Sequence, residues 1–340
     1  MLPRDMRPDG PDPDHQTTWA VVYRNGKRML RVAVAVVLLY LVVSYTGYRM
    51  ILAALDGADV SVLWLAFLVT VVAQYLVAWR LKRLTDVQDL SQSTMLVFEI
   101  NLATRFYGLF LPGGNVTALL IRIFKFTRER SQIAGVVVSL FIDRVTATLT
   151  LCVLGLIFWI LVSPRPDNLW LLVFALTTLA GLVLTWMLFS PSFSPSSGLM
   201  AKLVLKLGLR LRGKLSYIFQ RSRRAGGRVL VNSLALSVVA HLVGTVGYWL
   251  VAQSLDMQLS LLVLGWIRAG MMLVALLPIT IAGLGVREVT ALVLLRQFGV
   301  ESEVAIAFSI LIFTATVLGI GLLGGLTEAW RFAIAKSGGR

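Results

Sequence analysis

The chain has 340 residues, 57% of them hydrophobic and only 14% charged, where a soluble domain carries about a quarter charged residues. That balance, with a mean hydropathy of +0.81 and a formal net charge of +15, excludes a soluble globular enzyme and points to an all-α integral membrane protein. The lone cysteine, Cys152, rules out a disulfide framework or a thiolate cluster, and His15 and His241 make no ligand pair, so neither a metal nor a cofactor is expected.

The start, MLPRDMRPDGPDPDHQTT, is too long and too broken by Pro and Asp for a signal peptide. Residues 1–28 are expected to be a disordered cytoplasmic tail, 29–332 a polytopic membrane domain, and 333–340 a second cytoplasmic tail. Apolar segments follow at 32–54, 60–79, 95–121, 131–162, 169–190, 229–253, 260–298 and 303–330. Lys and Arg concentrate at 1–31, 80–94, 122–130, 191–228 and from Arg331 onward, which hold 25 of the 32. The other connections carry acids: Asp56 and Asp59, Asp167, Asp256, then Glu301 and Glu303. Basic loops stay cytoplasmic, so both termini are placed inside. On that reading 95–121 begins and ends on the cytoplasmic side, and 260–298 begins and ends outside.

Each of these two pieces contains a Leu-Pro step with glycines: FLPGGNVTALLIR at 110–122 and LLPITIAGLGVRE at 276–288. Proline removes a helical hydrogen bond and clashes with the turn before it, and irregular backbone at membrane depth survives only where protein or a wet cavity covers it. The breaks are assigned to Pro112, Gly113 and Gly114 in the first piece and to Pro278, Gly283 and Gly285 in the second. The expected architecture is roughly six full transmembrane helices plus two re-entrant or broken-helix hairpins, arranged as an inverted repeat. Repeats of that kind place a binding site near mid-membrane, between the hairpins.

Ionisable residues at membrane depth are costly and tend to be paired and functional. The candidates for substrate binding are Arg105, Arg122, Asp143, Arg144, Arg268, Arg287 and Glu288. Sequence neighbours on a helix point about 100° apart, so Asp143-Arg144 and Arg287-Glu288 are expected to seek separate partners, Asp143 reaching Arg122 or Arg105. Arginines outnumber acids in this set. Its members serve either as structural ion pairs locking the hairpins or as a net positive site for an anion, whose oxygens the guanidinium fork matches. His241 reads as a polar contact between helices.

In the long loop, Lys202, Lys206, Arg210 and Lys214 share a four-residue period with Leu203, Leu207, Leu211 and Leu215. Residues 191–228 therefore read as a basic amphipathic segment at the cytoplasmic interface, or as a solvated linker. Topology accounts for the basic charge, so no nucleic-acid partner is expected. Gly319, Gly321 and Gly324 fit a dinucleotide fingerprint by spacing, but no strand precedes them and no acid follows; Gly321 and Gly325 read as close helix packing. No nucleophile–base or metal-ligand spacing stands out, and no soluble stretch could house a catalytic module.

FLPGGNVTALLIR, SLFIDRVTATLTL at 139–151 and LLPITIAGLGVREVTALVLL at 276–295 together resemble the lysylphosphatidylglycerol synthase transmembrane-region family. Asp143-Arg144 and the Pro278…Gly283-x-Gly285-x-Arg287-Glu288 run carry the resemblance most specifically. Asn115 and Thr117 stand where the family's first motif often has an acid. The resemblance implies a multi-pass protein of the bacterial inner membrane that binds or flips lipids, like the flippase half of the multiple peptide resistance factor. It does not imply the synthase activity, which belongs to a separate soluble domain. The expected function is a lipid translocase or lipid-binding transporter, not an enzyme, handling an anionic or modified phospholipid or a polyprenyl-linked lipid. The alternative is a non-catalytic membrane partner of a separate lipid-modifying enzyme or glycosyltransferase. Lipid identity, direction, energy source and oligomeric state stay open.

Overall fold

A computed structural model describes residues 48–111, 115–127, 133–190, 220–223, 226–277 and 285–337. Every regular element among them is helical: α1 (Tyr48–Asp56), α2 (Val60–Asp86), α3 (Thr94–Phe110), α4 (Asn115–Thr127), α5 (Ile133–Leu161), α6 (Asn168–Phe189), α7 (Gly226–Gln253), α8 (Leu261–Val274), α9 (Val286–Arg296), α10 (Ser302–Ile312), a π segment (Phe313–Leu318) and α11 (Gly319–Ser337). Five helices are long and apolar enough to cross a membrane: α2, α5, α6, α7 and the continuous run Ser302–Ile334. The predicted first span, 32–54, is described only from Tyr48, and the tail 1–28 and the loop from 191 to 219 lie outside the described residues.

Capping chemistry sets where these helices begin. Asp59 accepts from the Ser61 N–H (2.8 Å) and the Val62 N–H (3.3 Å) ahead of α2. Ser93, Asp167 and Ser260 do the same at α3, α6 and α8. The two segments read as broken each resolve into two short helices. The first break falls between Phe110 and Asn115, and the second between Val274 and Val286. Pro112, Gly113, Gly114, Pro278 and Gly283, assigned to these breaks, lie outside the described residues. Gly285 is described: it is buried, precedes α9 at φ 80°, and so occupies backbone space that only glycine adopts without strain.

The same order of elements occurs twice. A leading helix, a long helix, two short helices flanking a break and a closing long helix make up α1–α5; α6–α11 repeat it. The corner into each hairpin is built alike. Asp89 (φ 61°) and Asp256 (φ 53°) turn the chain, Leu90 N–H bonds to Thr85 O and Met257 N–H to Ala252 O, and a capping serine follows four residues after each aspartate. The two long second helices, α2 and α7, pack antiparallel: the Asp59 N–H donates to Ser254 O (2.9 Å), Gly247 faces Thr70, and Arg80 reaches Ser237. Other contacts also run between the halves. α3 packs on α11 and α8 on α5, while α1 packs on α10 and α6 on α5.

Close approach on the α3–α11 seam depends on glycine. A Cβ on Gly324 would lie 2.1 Å from the Leu102 carbonyl oxygen, and one on Gly325 would lie 2.8 Å from the Phe106 ring. Each hairpin has its own apolar cluster, around Val97, Phe98 and Phe126 in the first and around Leu264, Trp266 and Ile267 in the second. The outer flank of α6 leaves Leu169, Leu172, Leu176, Leu179 and Trp186 exposed, an apolar face suited to lipid.

Candidate functional site

The charged residues within the helices fall into two groups, one at each hairpin. The first is organised by α5. Asp143 is buried there and accepts from Arg80 Nε (2.7 Å), while Arg80 Nη1 donates to Ser237 Oγ (2.8 Å), which also shares a hydrogen bond with Thr150 (2.6 Å). This corrects the expectation that Asp143 pairs with Arg122 or Arg105. Arg80 had been counted among the basic residues of a loop, but α2 continues through it to Asp86 and turns it inward, leaving it 3% exposed. Asp143 is thereby committed to an arginine outside the predicted set.

Arg105 lies on α3, Arg122 on α4 and Arg144 on α5, with Asp143 attracting Arg122 from beyond ion-pair distance. Among the described residues no carboxylate forms an ion pair with any of them, and they stand close enough to repel one another. Arg122 Nε is buried without a hydrogen-bond partner. Arg105 is exposed on α3. Asn101 lies one turn before Arg105 on the same helix face. It is 2% exposed and neither its Oδ1 nor its Nδ2 has a partner. Sequence reasoning passed over Asn101, although an amide within an apolar run is a detectable signal.

Other charges of this hairpin are tied to the last helix. Lys125 Nζ donates to both carboxylate oxygens of Glu328 (2.7 Å each), Tyr107 donates to Glu328 (3.1 Å), and Arg331 pairs with Glu99. The basic loop's end is tied to the α2–α3 corner, where Arg221 Nε donates to Gln88 Oε1 (2.7 Å) and Gln88 Nε2 to Arg221 O (3.2 Å).

The second group surrounds the start of α9. Glu288 accepts from the Gly285 N–H (2.7 Å) and from Arg287 Nη2 (2.5 Å). The neighbours therefore do pair, contrary to the expectation of separate partners. In a first helical turn the glutamate curls back toward the cap, and the arginine reaches round to meet it. Arg287 Nε also donates to Ser309 Oγ (3.2 Å), and its guanidinium lies 4.4 Å from the Phe313 ring centroid. On α8, buried Arg268 donates to His241 Nδ1 (3.3 Å) and lies 5.7 Å from the Tyr248 ring centroid. His241 Nε2 meets Ala147 O (3.0 Å), so the histidine does join helices, α7 to α5 and α8.

Among the described residues no group of three or more His, Cys, Asp and Glu stands ready to hold a metal, and Cys152 is free and buried. The arrangement offers guanidinium groups in excess of carboxylates, most of them on the short hairpin helices and Arg80 and Arg144 on the spanning helices α2 and α5. Such a site can bind an oxyanion through charge-assisted hydrogen bonds.

No curated protein and no solved structure matches the chain. The family model described as the lysylphosphatidylglycerol synthase TM region matches residues 28–324, which cover both hairpins and both charged groups. With its helical spans, its two interrupted segments and that match over most of its length, the chain is a multi-pass membrane protein belonging to the lysylphosphatidylglycerol synthase TM-region family.

Proposed function

We propose that the chain carries the anionic headgroup of a lipid across the bilayer without covalent chemistry, while the acyl or prenyl tails stay in hydrocarbon. One observation carries this reading: Asp143 gives its ion pair to Arg80 and attracts Arg122 only from farther off, and among the described residues no carboxylate forms an ion pair with Arg105, Arg122 or Arg144. Positive charge left over at membrane depth calls for an anion, and a phosphate matches the arginine fork. The antiparallel packing of α2 on α7 and the exchanged contacts between halves support reading the two runs as inverted copies, as in carriers whose site lies between repeats. The excess of Lys and Arg in alternate connections supports an inner-membrane orientation with both termini cytoplasmic.

The test is reconstitution of the pure protein in phosphatidylcholine vesicles doped with fluorescent phosphatidylglycerol, read by quenching from outside. The wild type is expected to move the probe, and Arg122→Ala and Arg144→Ala to abolish movement while still inserting. Normal movement by both variants would reduce these arginines to structural parts. The family's description as the membrane region of a synthase favours a second reading, in which the chain serves a separate lipid-modifying enzyme. Movement only of that enzyme's product, or only in its presence, selects it.

A further inference from the structure

Buried polar groups outside the first cluster form a line. On α7, Ser233, Ser237, His241, Thr245 and Tyr248 are all buried and recur every three or four residues, which puts them on one face. From Ser233 to Tyr248 this face extends about 22 Å along the helix axis. Ser237 belongs to the Arg80–Asp143 cluster, and Tyr248 lies under the Arg268 guanidinium. One side of a single helix thus joins the two charged groups.

Arg268 ends that line, and its charge is not balanced. It is 9% exposed, and no carboxylate pairs with it among the described residues. Its partner His241 is spoken for: a carbonyl can only accept, so Nε2 gives its hydrogen to Ala147 O, and Nδ1 is left to accept from Arg268 Nη1. That is a neutral ring, which orients the guanidinium without neutralising it. Arg287 is the contrast, with Glu288 bonded to it directly. The space for the guanidinium is provided by Gly244, where a Cβ would lie 2.5 Å from Arg268 Nη2 and 2.9 Å from Cζ. An oriented, unneutralised guanidinium in a dry interior is stabilised by a counter-anion.

The geometry points to a second anion station at Arg268, in the outer half of the membrane, that receives the phosphodiester of the same lipid headgroup after it leaves the Arg105–Arg122–Arg144 cluster. This rests on the lipid-carrying reading above. Arg268→Gln removes the charge, and Gly244→Ala keeps the charge but displaces it, using a residue that favours helix. Both variants are compared with wild type and with Arg144→Ala in fluorescent phosphatidylglycerol transfer. Native mass spectrometry of the purified proteins gives lipid occupancy, and both experiments are repeated with added inorganic phosphate. Both variants should retain co-purified phospholipid on the first cluster, yet transfer more slowly by about tenfold to a hundredfold, the worth of one charge-assisted hydrogen bond. Wild-type transfer by both, with Arg144→Ala inactive, overturns the second station and leaves the lipid reading standing. Wild-type protein that moves no lipid ends both. Inhibition by inorganic phosphate that Arg268→Gln abolishes assigns the station to a free anion and overturns the lipid assignment.

Discussion

The two hairpins share an architecture and differ in how they treat charge. In the first, Asp143 gives its ion pair to Arg80 from outside the hairpin, so among the described residues Arg105, Arg122 and Arg144 are left without an ion-paired carboxylate. In the second, Glu288 serves Gly285 and Arg287 together, and the remaining surplus is the single Arg268. The first is an open, repelling set of groups, while the second is largely closed on itself. Two hairpins with the same order of elements thus differ in electrostatic character, a contrast that the proposed headgroup path would use to hold the anion at one place and release it at another.

Four substitutions test that contrast, beginning with the largest expected effect. Asp143→Ala strands buried Arg80 and should cost about 3–5 kcal/mol of stability, seen as a sharp fall in the thermal midpoint in detergent. Its neighbour Arg144→Ala, which removes only a repelling charge, should leave that midpoint unchanged; equal losses in the two would mean that Arg144 has a structural partner. Arg287→Ala takes one hydrogen bond from Glu288 but leaves the Gly285 N–H in place, so a loss of about 1–3 kcal/mol is expected. A loss as large as that of Asp143→Ala would show that the second hairpin is no more self-sufficient than the first. Glu328→Gln weakens a partly exposed clamp on Lys125 and Tyr107, and a change of up to about 1 kcal/mol is expected in the same scan.

Much of this organisation is legible in the sequence, for identifiable reasons. Leu-Pro steps with glycine locate both breaks, because proline and glycine act on the backbone whatever surrounds them. Hydropathy finds the five long helices because length and apolarity are local properties. Arg80 was missed because Lys82 and Arg83 follow it and make the stretch look like a loop, although Arg80, Leu81 and Leu84 carry the buried face of α2 onward. The Asp143 partnership is a contact across 63 positions that no local pattern encodes. The α7 line was readable: Ser233, Ser237, His241 and Thr245 recur at intervals of four within an apolar run. So was the duplication, in QDLSQS at 88–93 and LDMQLS at 255–260, once the turn-forming aspartates and capping serines are aligned.

The widened turn at Phe313–Leu318 has a consequence for how the halves communicate. One continuous rod grips the second hairpin through Ser309 before that turn and Phe313 at its start, and the first hairpin after it, through Glu328 and Arg331. An added residue swings everything downstream round the axis by about 100°, so the turn sets the phase between the two grips. Removing one residue there should restore ordinary pitch and rotate Glu328 away from Lys125 while leaving Ser309 beside Arg287. A crosslink between cysteines placed at 125 and 328 would report the lost alignment. The widened turn thereby fixes the angular offset between the rod's contacts at the two hairpins.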